Sequence, residues 1–277
     1  CRLGSDGPAM KTIARIALNA FRESVRDKVL YNLVAFAVLM IGASLLIGQL
    51  TAGQEVKIIK DLGLASVSVF GTFIAIFIGI GLVSKEVERR SVYALVAKPI
   101  SRAQLVLGKY AGLALTLAVN VAVMTLAIYA VLAWWQAQTP PDVRAGWEAP
   151  ALDPALLTAI GLIYLELLVI VAIAIVFSCF SSALLSAAFT FGLVIAGHFS
   201  QDLRNFNQVV DSPAAQAVAR ALYYLLPNLS FFDVKARVVH GEAVGAGEIG
   251  LAAAYACVYV SALLTLAVWV FSRRDFK

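Results

Sequence analysis

Few residues in this sequence could do chemistry, and their surroundings limit what that chemistry would be. Glu166 is the only acidic residue near the middle of a long apolar run, LIYLELLVIVAIAIVFS. A charge in hydrocarbon is expensive, and burial favours the protonated acid. Glu166 therefore reads as a substrate contact, a proton carrier, or a neutral acid hydrogen-bonded to a neighbouring helix. Asn120 lies at a similar depth in another apolar run. A contact between Glu166 and Asn120, direct or through water, is the expectation. His198 and His240 are the only histidines and are far apart in the chain. Such a pair reads as surface more readily than as a metal site. There is no H-E-x-x-H and no G-x-x-x-x-G-K-[ST] phosphate loop, so ATP hydrolysis by that device is excluded. No serine–histidine–acid set stands out. The cysteines Cys1, Cys179 and Cys257 form neither a disulfide framework nor a metal cluster. The expectation is a chain that is not an enzyme, with no catalytic residue, no bound cofactor and no metal.

A second set of polar residues lies in SKEVERRSVYALVAKPISRAQLVLGK. Residues 85–96 can form a short helix with Glu86 and Arg90 paired one turn apart. Pro99 ends it, because proline disfavours helix in the residue before it. Ser101 and Gln104 then form a capping box that opens a new helix. A short helix with mixed apolar and charged faces suits docking on a partner, and equally a solvated loop at lipid headgroups. Gly108 and Gly112 form a G-x-x-x-G that permits close helix approach. Gly79 and Gly81 read as packing or bending positions.

These residues sit in a chain of 277 residues that is 61% hydrophobic and 14% charged, with mean hydropathy +0.86. Soluble domains average about 45–50% apolar and about 25% charged. The excess must face lipid, and it is arranged in long runs. Spans are expected at about 29–50, 62–83, 103–135, 155–180, 183–199 and 249–271, with a polar loop at 51–61 and the tight turn Ser181-Ser182. Residues 11–28 read as a basic amphipathic helix, with Ile13, Ala17, Phe21 and Val25 on one face. Residues 1–9 are expected to be a non-native or miscalled start, with Met10 as initiator; 10–277 is then one transmembrane domain. The segment 200–247 is too long for an idle loop, and Ala214–Leu226 reads as a short helix that dips into the leaflet or caps a path.

Basic residues set the orientation. Lys11, Arg15, Arg22, Arg26, Lys28, Lys85, Arg89, Arg90, Lys98, Arg102, Lys109, Arg273, Arg274 and Lys277 fall on one side. Lys57, Lys60, Arg144, Arg204, Arg220, Lys235 and Arg237 fall on the other. The bias of about two to one places both termini in the cytoplasm. Trp134, Trp135 and Trp147 mark the outer interface and Trp269 the inner one. The net charge of +5 is explained by this asymmetry, not by nucleic acid.

Taken together, K-E-V-E-R-R-S-V-Y-A-L-V-A-K-P-I-S-R (85–102), L-V-L-G-K-Y-A-G (105–112), L-E-L-L-V-I-V-A-I-A-I-V-F-S-C-F-S-S (165–182) and L-L-P-N-L-S-F-F-D (225–233) resemble type-2 ABC transporter permeases. The likeness covers nearly the whole chain from Met10. It is nearest to permeases of copper-enzyme maturation, such as those serving nitrous oxide reductase. The resemblance implies an all-α membrane protein of about six transmembrane helices. Residues 11–28 would be its elbow helix, and 85–98 its cytoplasmic coupling helix. Re-entrant helices would lie in 200–247. The coupling contacts would be Glu86, Glu88, Arg89, Arg90, Tyr93 and Lys98, with Glu166 and Asn120 in the membrane interior. The implied partners are a separate ATPase subunit, which would bind ATP and Mg, and a second permease copy, identical or not, meeting at spans two and five. The implied place is the inner membrane of a prokaryote, and the implied work is export. A non-transporting signalling or assembly complex acting on an outer partner stays open. So does a proton-coupled secondary transporter using Glu166.

Overall fold

The computed structural model describes residues 6–50, 53–88, 101–147, 149–200, 216 and 226–273. Among them every regular element is helical: α1 (Asp6–Val25), α2 (Lys28–Gln49), α3 (Glu55–Glu88), α4 (Arg102–Gln138), α5 (Pro141–Arg144), α6 (Ala155–Ser178), α7 (Ala183–His198), a 3-10 turn (Leu229–Phe232), α8 (Lys235–Val239) and α9 (Ala246–Arg273). Helices α2, α3, α4, α6 and α9 are long and apolar enough to cross a membrane. The chain is an all-α, multi-span membrane protein.

The architecture is built around α6. Its sequence is apolar on every face, which only a helix surrounded by other helices tolerates. Neighbours α3, α4, α7 and α9 enclose it, and nearly every residue from Leu162 to Ser178 is buried or half-buried. Backbone groups in lipid must be satisfied internally, so the bundle is held by side-chain packing between complete helices. Glycines set the closest approaches. A β-carbon on Gly71 would lie 2.7 Å from Leu167, and one on Gly79 would lie 2.7 Å from Ala174, so α3 packs tightly on α6. Gly81 faces open space. Two tyrosines tie α4 to α6: Tyr164 donates to the Ala114 carbonyl at 3.1 Å and Tyr110 to the Leu168 carbonyl at 3.4 Å. The outer flanks of α2 and α9 leave Phe36, Leu39, Leu46, Leu251 and Val258 exposed, as a lipid-facing surface does.

Two expectations shift. The polar loop at 51–61 is short, because α3 begins at Glu55 and takes in EVKIIKD. Lys57, Lys60 and Asp61 disguise a helical stripe in which Val56 and Ile59 are buried and continue into the span. The helix that carries the second span also continues past 83; α3 runs unbroken to Glu88, since no glycine or proline interrupts VSKEVE. The fifth span lies where it was expected, as a 16-residue helix short of the roughly 20 residues that cross the core. It ends near the midpoint of the 24-residue α6. There the chain turns, and the stretch from Pro227 to Phe232 packs against the end of α7 and the side of α6.

Helix α1 docks on the first turns of α4. Its packed face is Ile13, Ile16, Ala17, Ala20, Phe21, Ser24 and Val25, which contains the expected stripe. The G-x-x-x-G is the reason it fits. A β-carbon on Gly108 would lie 2.7 Å from Ile16, and one on Gly112 would lie 2.4 Å from the Ala17 carbonyl oxygen. Residues 1–5 lie outside the described residues, and α1 begins at Asp6, ahead of Met10.

Candidate functional site

The polar centre of the bundle is Glu166 in the middle of α6, with 1% of its side chain exposed. Its neighbour is not Asn120. The Asn120 amide turns back along its own helix and donates to the Thr116 carbonyl at 2.9 Å. Both Glu166 and Asn120 are buried, as expected of intramembrane polar groups, but they serve separate bonds. The partner of Glu166 is His198, the last residue of α7, whose Nε2 lies 3.1 Å from Glu166 Oε1. The contact has ion-pair distance without the alignment of a regular hydrogen bond.

The rest of the site fixes the imidazole. His198 Nδ1 lies 3.0 Å from the Val194 carbonyl oxygen. A carbonyl only accepts, so Nδ1 carries a hydrogen. Nε2 is then either protonated opposite a carboxylate or bare opposite a carboxylic acid. One proton shared between the two groups satisfies either state, which suits a pair that exchanges protons or adapts to a polar ligand. About a third of the His198 side chain remains exposed, so the pair is reachable.

Beyond His198 the chain is held by a compact hydrogen-bonded turn. Ser200 Oγ donates to Asn228 Oδ1 at 2.9 Å, Ser230 Oγ donates to the same oxygen, and the backbone N–H of Asn228 donates to the Tyr255 hydroxyl oxygen at 2.9 Å. Gly197 lets this turn approach, because a β-carbon there would lie 2.7 Å from the Pro227 carbonyl oxygen. The turn thus links α7, the 3-10 segment and α9 beside the Glu166–His198 pair.

At the other end of the molecule, the expected capping box is formed. Gln104 N donates to Ser101 Oγ at 3.2 Å, and Ser101 N donates to Gln104 Oε1 at 3.1 Å. Of the expected coupling residues, Glu86 and Glu88 belong to the last turn of α3. Arg89, Arg90, Tyr93 and Lys98 lie outside the described residues, as do 201–215 and 217–225 with the expected outer helix. Arg102 has a role the sequence did not disclose. Its Nη1 donates to the carbonyls of Phe271 and Ser272 at 2.7 and 2.8 Å, and its guanidinium lies 5.8 Å from the Phe271 ring centre. The last carbonyls of a helix lack partners in the helix itself, so Arg102 caps α9 from the start of α4.

A family model described as ABC-2 family transporter protein matches residues 14–276. The chain belongs to the ABC-2 transporter family. A search of curated proteins finds no match. The ABC-2 assignment makes this chain the membrane-spanning permease subunit of an ABC transporter, and the matched residues include Glu88, Glu166 and His198. The narrower likeness to copper-enzyme maturation permeases is not carried by that match.

Proposed function

We propose that this ABC-2 permease is the membrane half of an ATP-driven exporter in the inner membrane of a prokaryote, with both termini in the cytoplasm. The observation that carries this reading is a family match along nearly the whole chain in a sequence that holds no phosphate loop. A separate ATP-binding subunit supplies hydrolysis, with its own ATP and Mg. Two permeases and two ATPases assemble, and residues 85–98 form the contact through Glu86, Glu88, Arg89, Arg90, Tyr93 and Lys98. Acids and arginines make charge-assisted bonds to the ATPase, and Tyr93 fills an apolar pocket.

The geometry supports a mechanical route. Helix α3 is 34 residues long, about 51 Å at 1.5 Å per residue, and has no proline. A push at its Glu88 end therefore reaches its Glu55 end as rigid-body motion. Arg102 ties the far side of the coupling segment to α9, so both α3 and α9 respond to the ATPase. These two helices enclose α6, which carries Glu166. A second reading draws support from one observation: His198 Nε2 and Glu166 Oε1 lie 3.1 Å apart inside the bundle, a pair through which proton movement would accompany or replace ATP as the driving force. A signalling complex without transported cargo uses the same motion and differs only in having no flux.

The test is co-purification of the chain with its candidate ATPase from cells expressing both. The wild type should co-elute with the ATPase, and the combined reversal Glu86→Lys, Glu88→Lys, Arg89→Glu and Arg90→Glu should abolish co-elution while leaving the permease folded. Co-elution unchanged by the reversal would remove residues 85–98 from the interface.

A further inference from the structure

We propose that one edge of α1 binds the anionic headgroups of phospholipids in the leaflet it adjoins. Residues Ile16, Ala17 and Ala20 of α1 meet α4 at Gly108 and Gly112. The surface that this docking leaves exposed is ordered around the helix in strips. At about 100° per residue, Lys11, Arg15 and Arg22 fall within an arc of about 40°, opposite the docked residues. Arg26 continues the row just past the last turn. Met10, Ala14 and Leu18, at i, i+4 and i+8, run along one side of the row and are exposed, Met10 at 71% and Leu18 at 45%. Asn19 and Glu23 run along the other side. Apolar strip, cation row and polar strip follow the order of hydrocarbon, phosphate and water in a leaflet.

The chain holds α1 at that depth. Only Arg26 and Asp27 separate it from α2, a membrane span that starts at Lys28. Helix α4 has 37 residues, about 55 Å, against a hydrocarbon core of about 30 Å, so its ends stand outside the core. Gly108 and Gly112 lie about 9 and 15 Å from its first residue, at the edge of the hydrocarbon. The cations are also available. Among the described residues Lys11, Arg15, Arg22 and Arg26 make no ion pair and no side-chain hydrogen bond. Glu23, beside Arg22 in sequence, pairs with none of them, and Asp27 accepts from the Val29 amide at 2.9 Å. A helix C-terminus favours nearby cations, which accounts for Arg22 and Arg26 but not for Lys11 and Arg15. Water would suit the whole row but not Met10 and Leu18 beside it. An anionic leaflet meets both strips at once, with guanidinium groups on phosphate oxygens and the apolar side chains against acyl chains. The inference does not depend on how the permease is driven.

The test places the full-length chain in phosphatidylcholine nanodiscs, with and without phosphatidylglycerol, and follows hydrogen exchange across residues 11–25. Phosphatidylglycerol should slow exchange about fivefold or more, since each cation near an anionic surface contributes about that factor. Added salt should reverse the slowing. The combined variant Lys11→Gln, Arg15→Gln and Arg22→Gln should exchange alike in both lipids and retain fewer phosphatidylglycerol molecules in native mass spectra. Glutamine is a good helix former and the three side chains are exposed, so the variant keeps its helix. Should it nonetheless fail to fold, Arg15→Gln alone takes its place, with a partial loss expected. Wild-type exchange equal in the two lipids overturns the proposal, as does a phosphatidylglycerol effect that the variant keeps in full. Protection of α1 that arises only on adding the candidate ATPase, and that the variant loses, also overturns it and assigns the row to an acidic protein surface.

Discussion

At the scale of single residues, the bundle's polar centre rests on one pair. Among the described residues Glu166 and His198 form no other ion pair, so their substitutions should not be additive. A double-mutant cycle with Glu166→Leu and His198→Leu should give a coupling energy of about 0.5–3 kcal/mol, measured by thermal unfolding in detergent. The lower part of that range is expected, because His198 is 32% exposed. Additive effects would mean that the contact contributes nothing. The sequence disclosed Glu166 as a buried polar group because a carboxylate in an apolar run is conspicuous. It did not disclose the partner. Asn120 matched in depth, but an amide can satisfy itself on its own helix, and it does so at Thr116. The usable signal was the turn: Glu166 lies 15 residues before Ser181 and His198 lies 16 after Ser182, so an antiparallel hairpin brings them level. Arg102 was legible only as a basic residue, because its acceptors on α9 are 169 and 170 residues away.

At the scale of elements, small residues and caps decide which helices touch. Gly112→Val should displace α1 from α4, since the new atoms would enter the Ala17 backbone. Overpacking of this kind costs about 1–3 kcal/mol. Gly192→Ala, at a position with nothing within 4 Å, should leave stability unchanged. Thermal melting of both variants checks the contrast, and equal behaviour would remove the proposed docking of α1. Arg102→Ala should loosen the last turn of α9. Hydrogen exchange should speed up near residue 273 while the middle of α9 stays protected, and no change there would contradict the cap. Apolar runs and the capping box were legible as elements because they depend on nearby residues. The start of α3 was obscured by Lys57 and Lys60, whose charges broke the apolar run without breaking the helical period. The shortness of α7 was legible, because the Ser181-Ser182 turn and the polar stretch from 200 confine the apolar run to 183–199.

At the scale of the whole molecule, the account gives each end of the bundle a side of the membrane. In the proposed orientation the ends of α3 and α9 near Glu88 and Arg273 face the cytoplasm, and the loop before α9 faces outward. In a chain whose own cysteines are replaced, Ala243→Cys should react with an impermeant thiol reagent added to intact cells. Lys11→Cys should react only after permeabilisation, and the reverse pattern would invert the topology. The class was legible from composition and the family from the segments at 85–112, 165–182 and 225–233. The central claim is that ATP hydrolysis by a separate subunit moves this permease through the end of α3. The most direct measurement is the ATP turnover of that subunit in nanodiscs, with the wild-type permease and with the charge reversal at Glu86, Glu88, Arg89 and Arg90. The account predicts turnover that depends on the wild-type permease and falls to that of the ATPase alone on reversal. Turnover indifferent to the permease and to the reversal would contradict it.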